Sequence, residues 1–277
     1  MTIFRVDFGS DIGLGHLKRS LVYAKNFNKV VYVSKSNEKD LLPYPLKTIH
    51  NEEKFFEIIK KLKPSKIVID SYTFKYEYEV KIKKSFPQIK LICIDDLYKK
   101  HYCDEVVNPN LCIKPYTDLP SFIKVNFVGP LIQNDFKNKK YYKKNGLFIS
   151  FGATDAMNIT LQVLKQLKNI NIPINIYTTS INSNIKKLQR FCKLNKNFHL
   201  YIDKNIAQAM AKSQFGIISA STLVYEALAV DLDFVAIKVA SNQDGLEKCL
   251  KKKRKKVIEI KEISKLKNII KNVKGIK

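Results

Sequence analysis

Short apolar runs alternate with amphipathic stretches along most of the chain. In the first half, Ile3–Val6, Val30–Val33, Lys47–Ile49, Lys66–Ile69, Leu91–Ile94 and Glu105–Val107 read as strands, and residues 16–27, 52–62 and 75–84 have helical periodicity. The polar stretch from Asn134 to Asn145 reads as a linker. A second series follows, with strands at Leu147–Ser150, Ile174–Tyr177, Leu200–Ile202, Gly216–Ser219 and Phe234–Ile237 and helices at 156–168, 184–194, 204–213, 221–230 and 243–252. Strands that alternate with helices favour parallel, doubly wound sheets. The pattern therefore predicts an α/β protein of two domains, 1–134 and 146–277, facing each other across a cleft.

Composition narrows the classes. A chain of 277 residues with 45% hydrophobic content suffices for two ordinary cores. No apolar stretch approaches the roughly 20 residues that span a bilayer, and the chain opens directly into a strand without a leader pattern. A cytoplasmic protein with no membrane partner is expected. The net charge of +25 invites a nucleic-acid reading, but only Arg5, Arg19, Arg190 and Arg254 are arginine. Arginine is the usual reader of bases, and no recognition motif accompanies the lysines, so no nucleic-acid partner is expected. The field still favours a polyanionic small molecule. The densest run, Lys251 to Lys256, reads as a solvated helix end. Cys93, Cys103, Cys112, Cys192 and Cys249 are scattered without CxxC spacing, and Cys103 and Cys112 with His101 match no zinc motif. No metal site is expected.

Candidate chemistry gathers at the carboxyl ends of the strands, where open α/β sheets bind ligands. His16 follows the first strand within Ile12-Gly13-Leu14-Gly15-His16-Leu17-Lys18-Arg19. Gly13 and Gly15 let a substrate approach the backbone, and a helix amino terminus disfavours the imidazolium. A neutral imidazole there is equipped to act as a general base; an ordinary helix cap is the alternative. In the second half, Ser150-Phe151-Gly152-Ala153-Thr154-Asp155 and Ser219-Ala220-Ser221-Thr222-Leu223-Val224-Tyr225-Glu226 place small and hydroxyl residues at helix starts, which suits a phosphate. Glu226, one turn into its helix, can reach a ribose diol; helix capping by Ser221 or Thr222 is again the alternative. Asp70, Tyr72, Asp95 and Asp96 end strands of the first half, where acidic groups orient a histidine, bind sugar hydroxyls or cap turns. Asn242-Gln243 follows the strand ending at Ile237.

The order and spacing of Phe4-Arg5-Val6-Asp7, the Gly13–Arg19 segment, Val68-Ile69-Asp70-Ser71-Tyr72, Ile94-Asp95-Asp96, Ser219–Leu228 and Asn242-Gln243 resemble one family. It is the UDP-2,4-diacetamido-2,4,6-trideoxy-β-L-altropyranose hydrolases (PseG) of pseudaminic acid biosynthesis, which leads to flagellin glycosylation. The resemblance implies a GT-B-like fold of two Rossmann-like domains and the removal of UDP from a nucleotide sugar by water. It implies a catalytic His16, a sugar site with Arg5, Gly13, Gly15, Asp70, Tyr72, Asn242 and Gln243, and a UDP site with Gly152, Thr154, Ser219, Ala220, Ser221, Thr222 and Glu226. No cofactor or metal is implied, and a monomer with one UDP-sugar partner suffices. Two departures stand out: the family's Gly-Gly-Thr-Asp turn is here Gly152-Ala153-Thr154-Asp155, and the lysine-rich tail after Lys248 matches poorly. The rival readings are a GT-B glycosyltransferase with an alcohol acceptor and a non-catalytic binder of nucleotide sugar or nucleic acid.

Overall fold

The structure, a computed structural model, describes residues 1–10, 12–137 and 144–273. The chain divides into two units, Met1–Leu131 and Ile132–Lys277. In the first, β1 (Thr2–Val6), β2 (Val30–Ser34), β3 (Leu46–Thr48), β4 (Lys66–Asp70), β5 (Lys90–Ile94), β6 (Glu105–Asn108) and β7 (Lys124–Phe127) form a parallel sheet in the order β3-β2-β1-β4-β5-β6-β7. The order reverses between β1 and β4, so their carboxyl ends flank the topological switch point where such sheets bind ligands. Helices α1 (Gly15–Ala24), α2 (Glu52–Leu62) and α3 (Tyr76–Ser85) cover the faces.

Side chains alternate between the two faces along each strand. Phe4, Val6 and Val68 share one core with Leu17 and Ala24 of α1. Ile3, Ile67 and Ile69 share the other with Phe55, Phe56 and Ile59 of α2 and Ile82 of α3. Asp70 lies in phase with Val68 and therefore faces α1. Arg5 lies in phase with Ile3 and faces α2. This two-residue period decides which charged residue meets which helix.

The second unit contains β8 (Leu147–Ser150), β9 (Ile174–Thr178), β10 (Phe198–Ile202), β11 (Phe215–Ser219), β12 (Phe234–Lys238) and β13 (Lys256–Glu259), parallel in the order β10-β9-β8-β11-β12-β13. Its helices are α4 (Ile159–Gln166), α5 (Ile185–Lys193), α6 (Ile206–Lys212), α7 (Thr222–Ala229), α8 (Asp244–Lys252) and α9 (Leu266–Lys271). Leu147 and Ile149 pack with Val163 and Leu164 on one face, while Phe148 and Ile218 pack with Met210 and Val224 on the other. Here the order reverses between β8 and β11.

Three elements go beyond the sequence reading. Strand β7 is a half-exposed edge and lacks an apolar run. Strand β13 and α9 lie in the lysine-rich tail, whose Ile258, Leu266, Ile269 and Ile270 are nevertheless buried. The lysine run crosses the turn from α8 into β13, rather than ending with a helix, and all of it but Lys255 is exposed. Of the polar linker, Asn134–Phe136 forms a single 3-10 turn with Phe136 buried in the second unit's core; residues 138–143 lie outside the described residues.

Candidate active site

His16 is the second residue of α1, one turn beyond a hairpin closed by a bridge between Gly9 and Gly13. Gly13 has φ +90, and a Cβ there would meet nothing within 4 Å. The glycine thus serves the backbone conformation and leaves open space beside the loop. Gly15 begins the helix. The imidazole Nδ1 lies 2.6 Å from Asp70 Oδ1. The tautomer that satisfies the carboxylate has Nδ1–H donating to Asp70, which leaves the Nε2 lone pair as the basic position. His16 is 7% exposed, so solvent reaches the ring only over a small area. The Tyr72 ring meets it edge-on, with centroids 4.3 Å apart.

Asp70 is fully buried and carries two loads. Arg19 donates to it twice, Nε to Oδ2 at 2.8 Å and Nη2 to Oδ1 at 2.6 Å. The remaining Arg19 nitrogen, Nη1, donates to Asp96 Oδ2 at 2.6 Å, and the Tyr72 hydroxyl donates to the same oxygen at 2.9 Å. Burial alone would raise the Asp70 carboxyl; Arg19 and His16 outweigh it and hold the carboxyl at about 2. Burial likewise opposes the Arg19 charge, but Asp70 and Asp96 raise its pKa well above the ordinary value. The Tyr72 phenol is pushed up by burial and by Asp96, so it stays a hydrogen-bond donor. Asp70 thus meets the histidine from the end of β4 and, being fully buried, has no surface for the sugar contact expected of it.

Arg5 belongs to a different layer. It is 0% exposed, and its guanidinium is committed to Glu52 at 2.7 and 3.1 Å and to Asp7 at 2.6 Å. No surface of Arg5 is left for a ligand, which corrects its placement among sugar contacts. Its partner Asp7 accepts from Ser71 and from Thr73 Oγ1, the latter at 2.9 Å. Arg5 therefore braces the loop that presents Tyr72. The sequence reading set Asp96 among the strand-end acids but gave Arg19 no role, although the i, i+3 spacing of His16 and Arg19 places both on one helix face.

In the second unit, the turns after β8 and β11 flank the switch point of its sheet. Gly152 adopts φ +87 with no atom within 4 Å of a Cβ position, and Thr154 is half-buried beside it. Asp155 caps α4, accepting from Ile159 N at 2.8 Å and Thr160 N at 3.0 Å. Ser221 is the N-cap of α7, and its hydroxyl lies 2.8 Å from that of Ser219. Ser219, Ala220 and Glu226 are buried, whereas Ser221 and Thr222 are half-buried at the helix start. Ser221 capping and a hydroxyl-rich helix start thus coexist. Asn242 is exposed on a 3-10 turn (Ser241–Gln243) after β12, and Gln243 is turned back, its Oε1 accepting from Val239 N at 2.8 Å.

A further cluster, unforeseen from the sequence, joins Glu79, Cys93 and His101, whose ligand-type atoms lie within 4.8 Å of one another. His101 Nδ1 is 2.9 Å from Glu79 Oε1, and Nε2 is 3.6 Å from Asp95 Oδ2. Burial would lower the imidazole, but Asp95 and Glu79 raise it to about 10. Among the described residues the cluster is held together as a buried hydrogen-bonded network in which two carboxylates favour the charged imidazole.

No family model matches the chain. A UDP-2,4-diacetamido-2,4,6-trideoxy-β-L-altropyranose hydrolase of Campylobacter jejuni is 38% identical over 266 residues, 91% of this chain and 96% of the relative. An uncharacterized protein of Methanocaldococcus jannaschii is 24% identical over 83% of this chain, which spans 54% of that protein. Among solved structures, MurG of Acinetobacter baumannii superposes with a TM-score of 0.66 at 13% identity, covering 99% of this chain and 92% of that one. The spinosyn rhamnosyltransferase SpnG complexed with thymidine diphosphate gives 0.66 at 8% identity over 99% and 92% of the two chains. Os79 of O. sativa gives 0.69 at 9% over 98% and 91%. These likenesses show the fold, a GT-B-type pair of Rossmann-like units. The identity shared with the C. jejuni enzyme over nearly the whole of both sequences shows more: the chain belongs to the UDP-2,4-diacetamido-2,4,6-trideoxy-β-L-altropyranose hydrolase family.

Proposed function

We propose that this protein hydrolyses UDP-2,4-diacetamido-2,4,6-trideoxy-β-L-altropyranose to UDP and the free sugar, with water as nucleophile and inversion at the anomeric carbon. The reading rests on family membership and on one geometric observation, the carboxylate-anchored imidazole at the switch point of the first unit. His16 Nε2 takes a proton from the attacking water, and Asp70 stabilises the imidazolium that forms. Arg19 fixes Asp70, and Tyr72 fixes the ring's edge. Asp70 and Arg5 position the site rather than touch the sugar, while Gly13 and Gly15 give the sugar room.

The second unit holds UDP. The turn Gly152–Thr154 and the start of α7 at Ser221-Thr222 offer the diphosphate backbone N–H groups and hydroxyls, Glu226 takes the ribose, and exposed Asn242 contacts the diphosphate and sugar while Gln243 holds its turn through Val239 N. UDP is a good leaving group, so the second carboxylate of a glycosidase pair is not required. Charge on the leaving diphosphate is met by helix N–H groups and the basic field, and the chemistry needs no metal. No helix among the described residues is long and apolar enough to cross a membrane. In this reading the enzyme acts in the cytoplasm and supplies a sugar for pseudaminic acid.

The test is UDP release from that substrate with no added acceptor. Wild type should turn over. His16→Ala should lose at least 100-fold in kcat while binding UDP unchanged, because general bases contribute about 10²–10⁴-fold. A dependence on an alcohol acceptor would favour the glycosyltransferase reading instead.

A further inference from the structure

Two adjacent acids follow β5, and the alternation of the strand sends them to opposite sides. Asp95 continues the phase of Cys93, which packs in the core with Ile82 of α3. Its carboxylate is spent on its own turn, accepting from Leu97 N at 2.9 Å, Lys99 N at 3.0 Å and the Tyr116 hydroxyl at 2.8 Å. Asp96 continues the phase of Ile92 and Ile94, which pack with Leu17 of α1. Its Oδ2 receives Arg19 Nη1 at 2.6 Å and the Tyr72 hydroxyl at 2.9 Å. Both donors also meet His16. Arg19 Nη2 lies 3.0 Å from the imidazole Nδ1, and the Tyr72 ring centroid is 4.3 Å from that of the imidazole. Asp96 Oδ1 is buried with no hydrogen-bond partner among the described residues, so the carboxylate is engaged through Oδ2. Asn110 Nδ2 donates to the Asp96 carbonyl at 2.9 Å and fixes its backbone.

We infer that Asp96 is a positioning residue of the hydrolytic centre that sets the charge balance in which His16 works; this rests on the function proposed above. A general base becomes a cation in mid-reaction, and here a guanidinium stands directly beside it. The charges of Asp70 and Arg19 cancel as a pair. An imidazolium held by those two alone would be an uncompensated positive charge in a buried place, which is costly. Asp96 supplies the second carboxylate. The centre then carries one negative charge while His16 is neutral and none once the ring has taken the proton. Protonation therefore removes charge from the interior instead of creating it. The charged and titratable groups that face the ring are Asp70 from β4, Arg19 from α1 and Tyr72 from the turn after β4. Asp96 stands behind Arg19, and the Lys99 ammonium lies 5.5 Å from the Tyr72 ring centroid. Lys99 is a further cation and adds to the need for a second carboxylate.

The experiment compares wild type, Asp96→Asn, which keeps the size and removes the charge, and Asp96→Glu, which keeps the charge. His16 is titrated by NMR of its ring C–H groups, and kcat and KM for UDP release from the diacetamido UDP-sugar are measured over the same pH range. In Asp96→Asn the His16 midpoint should lie lower than in wild type by roughly half to one pH unit, less than a directly adjacent charge exerts. The acid limb of kcat should move with it. At neutral pH kcat should drop about tenfold, a part of the 10²–10⁴-fold that a general base contributes, while KM and the Kd for UDP change little. Asp96→Glu should return the midpoint to its wild-type position and recover most of kcat. If Asp96→Asn does not fold, Asp96→Ser, which also removes the charge, is read by the same titration. A purely structural brace would lower stability and leave the midpoint where it was. An unmoved midpoint in a folded charge-removing variant, or an equal displacement in Asp96→Glu, overturns the inference. Failure of wild type to release UDP would instead remove the proposed function, and the NMR titration reads Asp96 independently of turnover.

Discussion

Replacing Asp70 by Asn changes one atom and reverses one hydrogen-bonding role. Asp70 accepts from His16 Nδ1 at 2.6 Å and from Arg19 at 2.6 and 2.8 Å, and it is completely buried. An Asn amide has one acceptor oxygen, so its NH2 must face either Arg19 or the imidazole, donor against donor. Two consequences follow. The carboxyl's fall from 3.8 to about 2 corresponds to roughly 2 kcal/mol of native-state stability. That contribution is present above the unfolded value and is lost as pH drops through about 2. Arg19 is then left buried with Asp96 as its remaining ion-pair partner, so the total cost should be about 3 kcal/mol or more. The second consequence is catalytic. Without a carboxylate to hold the Nδ1–H tautomer, Nε2 is no longer kept as the acceptor, and kcat should fall by about 10²–10⁴-fold. The assay is UDP release across a pH series, alongside urea unfolding and calorimetric UDP binding. A merely structural Asp70 would leave the pH profile of the residual activity intact, whereas an orienter shifts it. A kcat within threefold of wild type in folded Asp70→Asn would refute the dyad.

Two other outcomes are expected. Glu226→Ala should weaken UDP binding about tenfold or more, the worth of a charge-assisted hydrogen bond, with kcat little changed at saturation; an unchanged Kd for UDP by calorimetry removes Glu226 from the ribose. His101 titrates at about 10 in the folded chain against about 6.5 unfolded. Its ion pairs therefore stabilise fully below the unfolded value and fade as pH rises towards 10. Thermal melts should show Tm falling across that window in wild type, and a flat response in both wild type and His101→Gln would contradict the ion-pair network.

Much of this was legible in the residues. Apolar runs between amphipathic stretches mark buried parallel strands: ten of the eleven predicted strands lie wholly within observed ones, and Lys47–Ile49 shares two of its three residues with β3. Strand β7 was hard to read because Lys124-Val125-Asn126-Phe127 is only four residues long, with two apolar positions that stay partly exposed at the sheet edge. The tail hid β13 and α9 because lysines covered a sparse set of buried isoleucines. At the site, position was readable and role was not. A strand-end aspartate signals a ligand-facing turn, but only the register of β4 against β1 turns Asp70 towards α1 and its histidine. Arg5 shows the converse. The family resemblance implied a substrate contact, yet the two-residue period points it at α2, where Glu52 and Asp7 consume its donors. The Glu79–His101–Asp95 network joins residues from α3 and the turn after β5, a tertiary meeting that no local spacing encodes.

The central claim is that a water activated by His16 attacks the anomeric carbon. It is tested most directly by hydrolysing the UDP-linked diacetamido sugar in ¹⁸O-water and locating the label by mass spectrometry and NMR. The account requires ¹⁸O on the anomeric carbon of the released sugar, inverted anomer first, with UDP unlabelled and the product absent in His16→Ala. Label in the terminal phosphate of UDP, or undiminished labelled sugar from His16→Ala, would contradict it.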